Sequence, residues 1–545
     1  MRMTNKIMQN NSLYNINNNK QLVNKLSTMM STNKKITRPS DDPVIAVRAL
    51  RLRSDVAQIT QYDEKNAEDA KSWLKVTGDA LNTTTEVLRK MVELAGRGAE
   101  KDLGYDNLEI IVTQLKSLRD EYYGTGNVDF AGRYIFTGFR TNSTLTYTDN
   151  AKDDFRICEK MNISDIGTLN YTSIGDLKGI SKENYDPKTD PNPGEVENNI
   201  NNANIYRMML AYDDLKSLAD GQELKIEYVT DPSKLQDVNA APPNNGLTTL
   251  VAPADIVYMS TTDVPNPYEA IQQPGNAGKA ILVKETGELL IGNDLYDKIK
   301  NNMTPPVTED TQIRVTYEKN SWKTGDMRPQ HYFECTKNPD TTDAINYNWS
   351  LDETTNPPTP YISLDGERQD IEYDVGYNQK ILVNTMAGDV FSTNMDRVID
   401  DLEQALSKLK EINTAKTNMD LIKKEIKEGE AGYDNIVKTC EAADKAFAFI
   451  RENMQKQFEH LISQVEGFQA DANVAVTDNG TRADRLDLIM NRLTTQKTTF
   501  QTLQSENEDI DVTEVMVQLT SMDNSYNSAL MATGKIMKNS LMNYI

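Results

Sequence analysis

The sequence predicts a mainly α-helical protein with an inserted β-rich region, its helices forming a long antiparallel bundle or coiled coil drawn from both chain ends. Three observations lead there: where proline falls, an apolar repeat near 3.5 residues in both flanks, and short β-prone runs confined to the centre. Of 19 prolines, Pro39 and Pro43 lie near the start and the other 17 between Pro187 and Pro360. Proline in a helix interior costs about 3 kcal/mol, so long helices are permitted only outside that window.

In the front flank Ile16, Val23, Leu26 and Met30 share one stripe, interrupted at Asn19. The segment RPSDDPV (38–44) then breaks the helix: Pro39 stops one, and Asp42 caps the next with Pro43 at its first position. From Val44 to about Ala95 there is no proline and a single glycine, Gly78, while Leu50, Ile59, Tyr62, Leu74, Leu81, Leu88 and Met91 recur. A helix of that length reaches on the order of 75 Å and needs a partner. Asp106 with Glu109 predicts the cap of a further helix carrying Leu108, Ile111, Leu115, Leu118 and Tyr122.

The rear flank repeats the pattern. Ile436, Cys440, Ala443, Phe447, Ile450 and Met454 alternate steps of three and four, as do Leu486, Ile489 and Leu493, then Phe500 and Leu503. The last series runs Val512, Val515, Leu519, Met522, Tyr526, Ala529, then through Thr533 to Ile536, with Asp511 and Glu514 as a capping box. Between the flanks, 223–229, 255–259, 280–291, 313–318 and 368–375 read as strands, with a hairpin turn at Gly287. The expected division is terminal assembly helices at 1–42 and 511–545, a helical core at 43–140 and 388–510, and an inserted β-rich region at 141–387.

Composition narrows the function. The formal charge of -23, from 82 acidic against 59 basic side chains, argues against nucleic acid, where Lys and Arg neutralising phosphates carry the binding. No apolar run approaches the roughly 20 residues that cross a bilayer, so no membrane partner is expected. The Asn-rich start does not read as a secretory signal peptide. Three scattered cysteines, Cys158, Cys335 and Cys440, do not make a disulfide framework. With His331 and His460 the only histidines, acid–base or multi-His metal chemistry has little to work with, and no phosphate-binding Gly loop is present. His331 and Cys335 in HYFEC read as a surface or core pair on a strand, and the acidic stretch at 186–197 as a solvated loop rather than a calcium loop. Asp41 and Asp42 read as helix-capping groups. No catalytic, cofactor-binding or metal residue is expected, and the chain reads as a non-enzyme.

The stripes within 44–130 and 394–505 are those of an internal bundle. Those at 12–34 and 512–545 belong to short, polar-backed helices that are insecure alone. They can pair with one another or with copies in neighbouring subunits, and ordering on assembly is the stable answer.

Several segments resemble the flagellin superfamily, and within it the hook-associated junction proteins. ITRPSDDPVIAVRAL (36–50) is similar to the family's helix break, with Pro39, Ser40, Asp41, Asp42 and Pro43 as its core. GRYIFTGF (132–139) resembles the element ending the front helical region, carrying Gly132, Tyr134, Phe136 and Gly138. YDVGYNQKILVNTMAGDVF (373–391) is similar to the return into the core, GTRADRLDLI (480–489) with Arg482 to the last core helix, and 509–545 with Ser540 and Leu541 to the terminal assembly helix. The likeness covers about the first 140 and last 160 residues. It implies export by the flagellar type III system, a cytoplasmic export chaperone on the C-terminal helix, and self-association in a ring. It also implies contact with a neighbouring hook-associated protein and with flagellin, and an extracellular place at the hook–filament junction. A flagellin filament subunit, the longer junction protein, and a secreted coiled-coil adhesin or effector remain alternatives at this stage.

Overall fold

The computed structural model describes residues 5–101, 103–177, 180–189, 200–217, 221, 224–231, 246–339, 341–348, 350–352, 359–361 and 368–538. The chain divides into two compact units. The first takes 1–72, 372–381 and 482–545; the second takes 73–371 and 382–481. These borders cut through two long helices, Glu68–Gly98 and Tyr433–Glu508, and a short hairpin from the centre, 372–381, packs with residues 62–69 and Arg492 in the first unit.

In the first unit, helix α1 (Asn5–Thr32) ends before the proline break and α2 (Pro43–Gln61) follows it. Asp42 caps α2 as expected: its Oδ1 accepts from Val44 N at 2.9 Å and Ile45 N at 3.1 Å, and Pro43 contributes no donor that would need a partner. The uninterrupted helix expected from Val44 to Ala95 is not seen. A π-helical turn, Tyr62–Ala67, separates α2 from α3 (Glu68–Gly98). Such a turn widens the helix by one residue and re-aims its side chains. Here Asn66 Nδ2 reaches Asp374 O at 2.8 Å on strand β16 (Glu372–Gly376), which pairs with β17 (Gln379–Leu382).

The rear helix α7 (Tyr433–Glu508) runs antiparallel to this front segment: Asn507 bonds Ile45 O, Lys497 pairs with Glu64, and Lys71 with Asp487. Leu486, Ile489 and Leu493 are buried as their spacing requires, whereas Leu503 is exposed. The final helix α8 is Val512–Lys538. Asp511 Oδ1 accepts from Thr513 N and Glu514 N, but Glu514 Oε1 accepts from Gln518 rather than reaching back, so the capping box is half made.

In the second unit α3 and α7 run antiparallel. Asn479 donates to Leu74 O near one end, and Gly98 lies against Phe458 at the other, where a Cβ would sit 2.4 Å from the ring. Helix α4 (Tyr105–Thr125) begins at Gly104, so Asp106 lies within its first turn rather than capping it. It packs antiparallel on α6 (Asn394–Glu425), with Arg119 beside Asp396 and Asp400 and Lys116 on Glu403.

Among the described residues, two larger sheets make up most of the β-rich part, beside the two-stranded pair Ser350–Asp352 with Thr359–Tyr361. One has the order β4–β5–β10–β9–β8, from Ile166–Ser173, Asn201–Met209, Glu288–Ile291, Ala280–Val283 and Ile256–Met259, with β8 parallel to β9 and the rest antiparallel. The other is antiparallel throughout, β13–β12–β3–β11–β6–β7, from Ile345–Tyr347, Glu334–Lys337, Phe155–Met161, Ile313–Lys319, Lys225–Val229 and Leu247–Val251. One apolar cluster, including Phe155, Ile157, Met208, Leu282, Leu289, Val315 and Trp322, joins them. The expected hairpin is β9–β10. Gly287 takes φ +66° there, and a Cβ would meet Tyr212 O at 2.0 Å. Strands β3, β4 and β5, and helix α5 (Asn293–Asn301), were not legible in the sequence.

Candidate assembly surface

The chain ends meet at one joint within the first unit. Lys35 N donates to Glu508 O at 2.7 Å and Ile510 N to Asn33 O at 3.3 Å, so the end of α1 is bonded to the start of α8. Glu508 is the hub. Its buried carboxylate accepts from Arg53 Nε at 2.7 Å and Nη2 at 2.5 Å and lies 3.3 Å from Lys34 Nζ, which also holds Asp509 at 2.6 Å. The Arg53 hydrogen bonds, aided by Lys34, hold the Glu508 carboxyl below its usual range. From this joint α1 and α8 run side by side and antiparallel, in extensive contact.

The apolar stripes read from the sequence are turned into that contact. Ile16, Leu26 and Val515 are buried, and Val23, Met30, Leu519, Met522, Tyr526 and Ala529 are half-buried. Val512 is exposed, the side chain of Ile536 lies outside the description, and Ser540 and Leu541 lie outside the described residues. The stripes are thus covered by one another, within one chain.

A second apolar line remains uncovered. At about 100° per residue, Ile7 and Tyr14 lie on the side of α1 opposite Ile16, and Val517 and Met531 on the side of α8 opposite Val515. All four are exposed, Tyr14 at 67% and Met531 at 72%. Leu13, Leu22, Met516 and Leu530 flank them, and α2 adds Val44, Val47 and Leu50. Of the large apolar side chains exposed among the described residues, most belong to this unit, although it holds the smaller part of the chain. Sequence reasoning missed this line because a stripe is sought where apolar residues are densest. The signal was the seven-residue step from Ile7 to Tyr14 and the fourteen-residue step from Val517 to Met531.

The motif residues have structural places. Pro39, Ser40 and Asp41 form an exposed turn in which Asp41 Oδ2 accepts from Arg38 N at 2.9 Å and Thr37 N at 3.2 Å, which lowers its pKa. Gly132 and Gly138 take φ +77° and +60°. A Cβ on Gly138 would meet Gln369 Oε1 at 2.6 Å, the atom that accepts from Phe139 N. Tyr134 is half-buried, and Phe136 packs edge-on to Phe391 at 5.1 Å. Arg482 is half-buried on α7.

His331 closes a 3-10 turn rather than lying on a strand with Cys335. Its Nε2 faces Thr144 O and Ser143 Oγ, and burial pushes its pKa down to about 3. Cys158, Cys335 and Cys440 are free and buried. Among the described residues no cluster of three or more His, Cys, Asp or Glu could hold a metal ion, and no helix is long and apolar enough to cross a membrane. The acidic stretch from 190 to 197 lies outside the described residues.

Residues 3–141 match the family model of the bacterial flagellin N-terminal helical region. Flagellar hook-associated protein 3 of Salmonella typhimurium is 31% identical over 146 residues, 26% of this chain and 45% of that protein. Flagellar hook-associated protein 3 of Escherichia coli is 28% identical over 144 residues, with the same shares. The chain therefore spans a little under half the length of the curated relatives it matches. Among solved structures, a putative flagellar hook-associated protein from Vibrio parahaemolyticus aligns at TM-score 0.32 and 10% identity, covering 86% of this chain and 100% of that one. FlgL of Xanthomonas campestris aligns at TM-score 0.26 and 12% identity, covering 83% and 99%. Residues 3–141 are thus similar to a bacterial flagellin N-terminal helical region, a likeness that agrees in kind with the two curated relatives.

Proposed function

We propose that this protein is a structural, non-catalytic part of the bacterial flagellum, placed at the junction of hook and filament and assembled through α1 and α8. The observation that carries this reading is the uncovered apolar line on the paired end helices. Pairing within the chain satisfies one face of each helix and leaves Ile7, Tyr14, Val517 and Met531 in water. Apolar surface of this kind is covered when copies pack side by side, and subunits bonded head to tail with rotation close into rings or wind into tubes. The names of the two curated relatives favour the junction over the filament.

In this reading a ring of copies contacts a neighbouring hook-associated protein on one side and flagellin on the other. The same apolar line explains why a cytoplasmic chaperone would shield α8 before type III export. The end segments 1–42 and 511–545 act as the assembly segments.

Deletion of the gene tests the proposal: hooks should remain, filaments should be absent, and flagellin should accumulate in the medium. Wild-type protein should restore filaments, and the double variant Val517→Glu, Met531→Glu should not, although its monomer keeps its helix content. Normal filaments on the deletion strain, or full rescue by the double variant, would overturn the assignment.

A further inference from the structure

In the second unit, helices α6 and α7 cover one face of the sheet that begins with β4 and β5. Between them lies a cleft of about 690 Å³, within the range of small-ligand sites. At its inner end, beside Asn453 and Gln457, is a further cavity of about 30 Å³. We propose that this cleft binds a neutral saccharide.

The buried arginines lining it are already matched within the protein, whereas Lys456 lies exposed beside Glu452. Arg207 pairs with Asp401 and, at 2.5 Å, with Glu288. Arg397 donates to Thr286 O at 2.9 Å and pairs with Asp400 at 2.8 Å. Glu159, which burial pushes toward its neutral form, accepts from Tyr317 and from Ala211 N at 2.8 Å. A charged ligand reaching the buried part of the cleft would have to break one of these arginine pairs, so that part suits an uncharged one.

The atoms left over ask for hydroxyl groups. Asn453 Nδ2 is used by Thr172 and Asn202, but its Oδ1 has no partner among the described residues, and neither has Gln457 Oε1. Both lie between the cleft and the inner cavity and need donors. Arg397 Nε likewise has no partner among the described residues, and needs an acceptor. Asn453 and Arg397 are each only 6% exposed, so bulk water does not readily supply what is missing. A hydroxyl both donates and accepts, and a sugar ring carries several on one rigid frame.

Gly167 on β4 gives an independent indication. A Cβ there would meet nothing within 4 Å, and its φ is not in the left-handed region, so neither space nor strain demands glycine. A glycine inside a strand facing a cleft allows a ligand to lie against the backbone. Met161, Met209, Phe333 and Val398 supply apolar surface for the C–H face of a ring.

The full-length protein would be screened by saturation-transfer-difference NMR against methyl α-D-glucopyranoside, methyl α-D-mannopyranoside, methyl β-D-galactopyranoside and methyl N-acetyl-β-D-glucosaminide, with glucuronate as the anionic comparator. At least one neutral glycoside should give saturation transfer. Gly167→Trp, which fills the cleft, and Gln457→Leu, which removes an acceptor from a helix surface, should each weaken it about tenfold or more. Should Gly167→Trp fail to fold, Gln457→Leu decides alone. The proposal is overturned if no neutral glycoside binds, which leaves ordered water as the partner of these atoms. It is also overturned if glucuronate binds more tightly than every neutral probe, or if a folded variant binds as the wild type does.

Discussion

Replacing Glu508 by alanine should loosen both chain ends without unfolding the rest. Its carboxylate side chain is 3% exposed, whereas its partners Arg53 and Lys34 are 55% and 37% exposed. After the substitution both cations can return to water, so the cost is that of the lost charge-assisted bonds, about 1.5–3 kcal/mol. It is not the larger cost of stranding a buried charge. Lys35 N keeps its bond to the main-chain oxygen of residue 508, so the joint is weakened rather than cut. Hydrogen exchange would show it: amides in 16–30 and 515–529 should exchange about 10- to 100-fold faster, while those of α4 and α6 stay unchanged. The effect has a pH signature. Because Arg53 and Lys34 lower the Glu508 pKa, its contribution is present above the unfolded value of 4.5 and lost as pH falls through the lowered folded value. Wild type and variant should therefore converge in acid. Equal exchange at neutral pH, or a difference that persists in strong acid, would refute the reasoning.

Other perturbations follow from the same geometry. Asp42→Ala removes the acceptor for Val44 N and Ile45 N and should cost about 1 kcal/mol, read by thermal unfolding. Gly98→Ala should destabilise by about 1–3 kcal/mol because its Cβ would enter the Phe458 ring, although alanine favours helix. Gly96→Ala, with nothing within 4 Å, should stabilise by about 1 kcal/mol in the same melts. Burial raises Glu159 to about 7, so the folded state holds a proton that the unfolded state has lost. The resulting stabilisation, about 3 kcal/mol, is complete below the unfolded value and disappears as pH rises through 7. Burial lowers Lys408 to about 8, so its penalty is relieved as pH rises from there toward 10.5. Denaturant titrations of the second unit should show falling stability from pH 5 to 7 and a partial recovery above 8, and Glu159→Gln should make the first limb shallower, the remainder coming from Asp396, which burial also raises to about 7.

The sequence by itself determined where helices could run, because proline and apolar spacing act through local geometry. It located the break at Asp42 and Pro43, the buried positions Ile436, Ala443 and Met454 on α7, and the Gly287 hairpin. It also named the stripes of α1 and α8, but not what covers them. Only the tertiary structure decided that Ile16 and Leu26 are turned toward α8 and Val515 toward α1, leaving Ile7, Tyr14, Val517 and Met531 outside. It likewise decided that a π-helical turn follows Gln61, that β16 and β17 pack with that turn and with α7, and that Asn453, Gln457 and Gly167 line one cleft. The physical reason is range. Helix periodicity is set by neighbours three and four residues apart, whereas these outcomes depend on which faces meet across hundreds of residues. A repeat records that a face must be covered without recording by what.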